Sequence, residues 1–221
     1  MSEPGAWWDA FASSGGLGEL ETWLGGVDAA TRVRVRERIG ECGYQSVLDV
    51  GAGLGLDYVG MRNLSHDCTY QGVEPSETMR KAAQQLARGY GLGEQIPIVA
   101  GSINALPFGD SEFELVYCRH VFEHLPSFEA ALAEMIRVAQ LEVIVVFFMR
   151  PGAETYLTRE RDGLWQNRWS RQSIEDALAA NLKCEVFFWE HVGSEALLHT
   201  YLADAVAVDA DAVAARLKAG A

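Results

Sequence analysis

The chain is short of positive charge: 18 Lys and Arg stand against 31 Asp and Glu, for a formal net charge of −13. Nucleic acid is bound largely through cations that neutralise phosphates, so this balance argues against it as the main partner. The densest arginine groups, Arg32, Arg34, Arg36 and Arg38 and then Arg159, Arg161, Arg168 and Arg171, are interspersed with acids or apolar residues. They are expected to be solvated faces with local ion pairs. Cysteine is scarce. The four, at 42, 68, 118 and 184, form no C-x-x-C pair and no His/Cys cluster with metal-ligand spacing. Neither a metal site nor a disulfide framework is expected, and the cysteines read as reduced, mostly buried thiols of a cytoplasmic protein. Long apolar runs are missing too. VIVVFFM at 143–149 is strand-sized, so no membrane partner is expected. The opening MSEPGAWWDAF has no basic segment leading into a long apolar one, so no signal peptide is expected. Internal repeats, low-complexity tracts and obvious linkers are absent; SSGGLGE (13–19) is the most flexible-looking segment.

What is present suits one globular domain: 221 residues, 49% hydrophobic and 22% charged. A helix is expected from an Asp28 cap to about Cys42, stopped by Gly43, although the alternation in RVRVRERI also fits a strand. From Ser46 strands and helices alternate. SVLDV (46–50) is a short buried strand, followed by a glycine turn and a helix from about Leu56. YQGVE (70–74) and IPIVA (96–100) are the next strands. Between them SETMRKAAQQLARGY (76–90) is a helix that Ser76 can cap, with Met79, Ala83 and Leu86 on one face. FELVYC (113–118) is a strand. SFEAALAEMIRVA (127–139) is an amphipathic helix with Phe128, Leu132, Met135, Ile136 and Ala139 inward. EVIVVFFM (142–149) is a strand, and its run of apolar residues requires cover on both faces. SRQSIEDALAANL (170–182) reads as a helix, CEVFFWEH (184–191) as a strand, and EALLHTYLA (195–203) as a strand or short helix. The last two could pair as an edge hairpin. DADAVAARLKAG near the end reads as a peripheral helix. The pattern predicts an α/β fold with an open, mostly parallel sheet and helices on both faces.

The stretch SVLDVGAGLG places glycine at 51, 53 and 55 directly after the first strand. In an open parallel sheet ligands bind outside the carboxyl ends of the strands, and glycine admits close backbone approach there. Dinucleotide enzymes want G-x-G-x-x-G, but Leu56 stands where the third glycine would be. The alternative spacing, acid-x-G-x-G-x-G, binds S-adenosylmethionine (SAM), and Asp49, Gly51, Gly53 and Gly55 fit it at every position. Glu74, at the tip of the second strand, is placed to accept both hydroxyls of a ribose.

Further on, GSINALPFGDSEFELVYCRHVFEHLP (101–126) carries Leu106, Pro107, Phe108, Asp110, Phe113, Glu114 and Val116, then His124 and Leu125. With the glycine turn and Glu74 in this order, the chain from Ser46 to Phe148 resembles the class I SAM-dependent methyltransferases, in particular the broad small-molecule group. The resemblance implies the Rossmann-like seven-stranded sheet of that family, SAM as cofactor and a small-molecule acceptor. It implies that the backbone of Gly51, Ala52 and Gly53 faces the methionine part of SAM, that Asp49 orients the turn, and that Glu74 holds the ribose. Pro75, Ser76 and Met79 would flank ribose and adenine, and Cys118 and Arg119 would sit beside the methionine moiety. Ser102 stands where the family often has an acid for the adenine amino group, with Ile103 as the apolar face for the ring.

Methyl transfer from a sulfonium asks mainly for positioning and a dry site; a base is needed only if the nucleophile must lose a proton. His120 and His124 are the candidate catalytic residues, four apart and so on one face of any helical turn, with packing as the alternative for each. Glu123 reads as a solvated acid. Trp7, Trp8 and Phe11 suit either a lid over the cofactor or an anchor on the core. Tyr156, Trp165, Arg168 and Trp169 could line an acceptor site or pack against the final strands. One methyltransferase domain is expected, with residues 1–43 as a helical cap, 44–150 as the SAM-binding core and 151–221 as a substrate-side insertion with the last strands. Other readings of the same residues are a nicotinamide-dependent oxidoreductase, an aminopropyl transferase using decarboxylated SAM, for which no acidic signature is evident, and a SAM-binding sensor or scaffold without transfer. Oligomeric state and the acceptor atom stay open.

Overall fold

The computed structural model describes residues 6–14, 17–62, 67–92, 95–159 and 163–203. The expected helix at DADAVAARLKAG lies outside them. The described residues form an α/β fold with seven strands. The chain divides into two compact units, Met1–Ile103 and Asn104–Ala221, a boundary that falls inside the expected 44–150 core.

The first unit runs α1 (Ala6–Ser14), α2 (Leu17–Trp23), α3 (Ala30–Cys42), β1 (Ser46–Val50), α4 (Leu56–Met61), β2 (Thr69–Val73), α5 (Glu77–Gly89) and β3 (Ile98–Val99). RVRVRERI is helical: Val35 and Ile39 are buried on the side that carries Thr31, Arg32 and Arg38. Gly43 ends α3 in the left-handed conformation, φ 66°, donating its N–H to the Ile39 carbonyl. Asp28 is not the cap. Ala29 occupies that position without a side-chain bond, and the Asp28 carboxylate faces Arg36 at 3.6 Å. The expectation of solvated arginines is corrected as well: Arg32 and Arg38 are buried. Arg32 pairs with Asp57 of α4, and Arg36 donates to the Val27 carbonyl at 2.7 Å, whereas Arg34 makes the expected local pair with Glu41 at 3.3 Å. β1 and β2 are parallel, with Val50 opposite Val73, so Gly51 and Glu74 emerge level at one edge. β3, expected over five residues, pairs with β2 only at Ile98 and Val99.

The second unit runs β4 (Phe113–Arg119), a 3-10 turn (Phe122–His124), α6 (Glu129–Val138), β5 (Ala139–Phe147), α7 (Arg171–Ala179), β6 (Cys184–Val192) and β7 (Glu195–Leu202). β4 and β5 are parallel, and β7 runs antiparallel to both β5 and β6. The last two strands therefore form the expected hairpin, with β6 at the sheet edge. Ser170 caps α7 by accepting from Ser173 N–H. β5 starts and ends earlier than its apolar run suggests, so Phe148 and Met149 lie beyond it and are exposed. Its one acid, Glu142, is fully buried and is matched by His199 of β7, whose Nδ1 lies 2.9 Å from Glu142 and whose Nε2 lies 3.1 Å from Glu190. Of the four cysteines, all unbridged, only Cys118 is fully buried and the others are half-buried. No helix among the described residues is long and apolar enough to cross a membrane.

The Arg32–Asp57 pair has side chains only 7% and 3% exposed, so each charge depends on the other for its solvation. Asp57→Ala is expected to cost about 3–5 kcal/mol in urea unfolding. A cost under about 1 kcal/mol, the range of surface pairs, would contradict the buried assignment.

Candidate cofactor and acceptor residues

The turn after β1 is built from backbone. Gly51 and Ala52 both donate their N–H groups to the Val73 carbonyl, at 2.8 and 3.0 Å, which carries the chain across to the end of β2. Gly51, Gly53 and Gly55 all have positive φ, 78°, 54° and 68°, a region in which a side chain is strained. At Gly55 space is limiting too, since a β-carbon there would lie 2.8 Å from Ile96 Cδ1. Gly51 and Gly53 stay half-exposed, leaving main chain for a ligand to approach.

Glu74 closes this turn. Its Oε2 accepts the Gly53 N–H at 3.0 Å and its Oε1 accepts the Ser76 N–H at 2.9 Å. One carboxyl thus ties the glycine turn to the start of α5. Burial pushes its pKa up to about 7, against the pull of the Ser76 and Gly53 N–H groups. Arg80 secures the backbone below it, donating to the carbonyls of Glu74 and Pro75. Behind the turn, the buried Asp49 accepts the Tyr70 hydroxyl at 2.7 Å. Burial, then the Asp49 charge, raises the phenol's pKa well above its ordinary value. Sequence reasoning missed Tyr70. The available signal was Gly72, which sits opposite Asp49 in register and whose missing side chain gives the phenol its path; a β-carbon there would lie 3.3 Å from the Tyr70 oxygen.

Ser76 caps α5 as expected, its Oγ accepting the Met79 N–H at 3.0 Å. Met79 is buried with Leu54, Leu56, Ala82 and Leu86, and Trp8 and Phe11 of α1 pack on this cluster. That is the anchor reading of the N-terminal aromatics. Pro75 and Ser102 are half-buried and Ile103 is buried. The structure therefore brings together Gly51, Ala52, Gly53, Gly55, Glu74, Ser76 and Met79, with Asp49 behind them.

In the second unit β4 ends at the buried Cys118 and at Arg119, whose guanidinium lies 3.5 Å from Glu195. His120 follows with φ 58°, one of two non-glycine residues of positive φ among those described. Its N–H donates to the Val146 carbonyl, its Nε2 lies 2.8 Å from Glu195 Oε2, and its ring meets Phe148 edge to face. This conformation removes His120 from the helical turn, so the expected shared face with His124 does not form. His124 ends the 3-10 turn, with Nδ1 2.8 Å from the Trp165 carbonyl. A carbonyl only accepts, so Nδ1 carries the proton. Burial lowers the His124 pKa, with the Trp165 carbonyl acting in the opposite sense.

Glu123 corrects the expectation of a solvated acid. It is 5% exposed, its Oε1 accepts the Phe148 N–H at 2.6 Å, and its Oε2 is buried with no hydrogen-bond partner among the described residues. Burial pushes its pKa up to about 7. The reason is the chain from Trp165 to Trp169, which covers the turn. Asn167 N–H donates to the Glu123 carbonyl, Asn167 Nδ2 to that of Leu125, and the Trp169 indole to that of Phe122. Trp169 is therefore a packing residue, whereas Tyr156 is exposed and Trp165 is half-buried under Arg159.

Residues 48–147 match the protein family described as methyltransferase domain. The matched segment, just under half of the chain, is similar to that family. Among its relatives, ajmaline N-methyltransferase of Rauvolfia serpentina is 34% identical over 95 residues, 43% of this chain and 32% of that protein. Norajmaline N-methyltransferase of the same plant is 29% identical over 146 residues, 63% of this chain and 47% of that protein. The chain thus spans less than half the length of either. The solved structure of magnesium protoporphyrin IX methyltransferase from Synechocystis PCC 6803, with SAM bound, matches with TM-score 0.58 at 18% identity, over 78% of each chain. At that identity the likeness is one of fold.

A carboxyl whose folded pKa is raised stabilises the fold while protonated. That contribution is complete below the unfolded value and is lost as pH rises through the folded one, here from about 4.5 to about 7. Glu123→Gln is expected to remove much of this dependence and to raise unfolding stability at pH 8 by roughly 2–3 kcal/mol relative to the parent. Parallel pH–stability curves for the two proteins would show that Glu123 is ionised normally.

Proposed function

We propose that this protein transfers a methyl group from SAM to a small-molecule acceptor, at oxygen or nitrogen. The observation that carries the reading is the Glu74 carboxyl bridging Gly53 and Ser76, because it sets an acid and an open glycine backbone side by side at one strand edge. The residues fit the cofactor. Each Glu74 oxygen spends one lone pair on a backbone N–H and keeps capacity for a ribose hydroxyl. Gly51, Ala52 and Gly53 offer main chain to the amino-acid part, with Asp49 steadying the turn through Tyr70. Pro75, Ser76 and Met79 flank the nucleoside, and Ser102 and Ile103 are assigned to the adenine. When bound, SAM supplies an already activated methyl group. The chain's task is then to hold and orient the reactants and exclude water.

On the second unit His120 is assigned as the base for an acceptor that must lose a proton. Glu195, 2.8 Å from its Nε2, fixes its ring orientation. His124, tied to the Trp165 carbonyl, shapes the turn beneath. The net charge of −13 supports a small molecule over nucleic acid, and the same reading includes a cytoplasmic location.

Glu74 accepts two hydroxyls only when ionised, so SAM affinity is expected to rise as pH passes through about 7. Glu74→Ala is expected to weaken binding by roughly 1.5–3 kcal/mol, about 10- to 150-fold, with the fold retained by circular dichroism. Unchanged affinity in the folded variant removes Glu74 from the site. Incubation with methyl-labelled SAM and a cell metabolite extract is expected to label a low-mass product. Label found only in macromolecules contradicts the small-molecule acceptor, and SAM binding without any transfer points to a sensor. His120→Ala is expected to slow transfer while leaving SAM affinity unchanged; an unaltered rate would leave positioning as the whole mechanism.

A further inference from the structure

We propose that Asp9 is a positioning residue of the cofactor site: from α1 it fixes Ser76 and, through Ser76, the Glu74 carboxyl. The inference rests on the cofactor reading above. Asp9 Oδ1 accepts the Ser76 hydroxyl at 2.6 Å and the Thr78 N–H at 3.0 Å. Ser76 in turn donates its N–H to Glu74 Oε1, and Glu74 Oε2 receives the Gly53 N–H. Hydrogen bonds thus run without a break from α1 to the glycine turn.

This exceeds what capping a helix requires. Ser76 alone satisfies the Met79 N–H of the first turn of α5. Asp9 adds a second acceptor, for Thr78, from a point 69 residues away in the chain. It also takes the Ser76 hydroxyl proton, which commits that oxygen's lone pairs to Met79 and locks the rotamer. Ser76 is fully buried, so water does not replace a missing partner cheaply. A negative charge is favourable at the start of α5, and the bonds from Ser76 and Thr78 hold the Asp9 carboxyl below the usual carboxylate range, so the charge persists at neutral pH. Trp8 and Phe11, packed on the Met79 cluster, deliver the aspartate to this place. The N-terminal helix acts, in this view, on the geometry of Glu74 rather than as a cover.

The test is calorimetric titration of SAM into the parent, Asp9→Ala, Asp9→Asn, Ser76→Ala and the Asp9→Ala/Ser76→Ala double variant, each checked for fold by circular dichroism. Asp9→Ala is expected to weaken SAM binding on the order of tenfold. Asp9→Asn, which keeps the shape of α1 and one acceptor oxygen but not the charge, is expected to fall between it and the parent. In the Ser76→Ala background the Asp9→Ala loss is expected to shrink to about twofold, because the effect travels through the serine. Lower melting temperatures with unchanged SAM affinity would overturn the inference, as would full additivity of the two substitutions. Failure of the parent itself to bind SAM would overturn the cofactor reading and this inference together, whereas binding by the parent with unaltered affinity in the variants would overturn this inference alone.

Discussion

The glycine turn of the first unit is set by one carboxyl. Glu74 stands at the end of β2, nearly out of water, and holds two backbone N–H groups from different segments: Gly53 in the turn after β1 and Ser76 at the start of α5. A glycine turn by itself is permissive, since positive φ at three positions leaves the backbone free to wander. Fixing Gly53 on one side and Ser76 on the other turns that freedom into a defined surface. The parallel register of β1 and β2 makes this possible by ending both strands at the same level. Burial raises the pKa of Glu74, and the two N–H groups it accepts work against that shift.

The second unit uses the same physics differently. Glu123 is also a buried acid, in the 3-10 turn after β4, but it holds the Phe148 N–H just beyond β5, and its other oxygen has no hydrogen-bond partner among the described residues. The segment from Trp165 to Trp169 seals it by taking the carbonyls of the 3-10 turn. His120, beside it, is held in a conformation that few side chains adopt, with its ring against Glu195 and Phe148. Strain of this kind persists only where its surroundings over-determine it, and it gathers where chemistry is done.

Much of this was legible in the sequence because period and punctuation agree. The strand pattern at SVLDV and YQGVE, the three glycines, the Ser76 cap and the Gly43 stop each act within a few residues and each stands where it was expected. The edge hairpin was visible for the same reason. What escaped depends on partners distant in the chain. Arg32 and Arg38 look solvated until α3 turns them inward, where Arg32 meets Asp57. Asp28 reads as a cap until Arg36 competes for its carboxylate. Glu123 reads as a surface acid until a segment some 40 residues later covers it. Tyr70 needed the register of two strands and the gap at Gly72 to be seen as the partner of Asp49. The left-handed backbone at His120 has only a faint local signature, since histidine is merely enriched among the few side chains that adopt positive φ.

The central claim is that the β1 turn and Glu74 form a site for SAM. Isothermal titration of the purified protein with SAM, with its demethylated product and with NAD tests it most directly. One-to-one binding of SAM and of the demethylated product, with no heat from NAD, is the predicted result. Binding of NAD with none of SAM would contradict it.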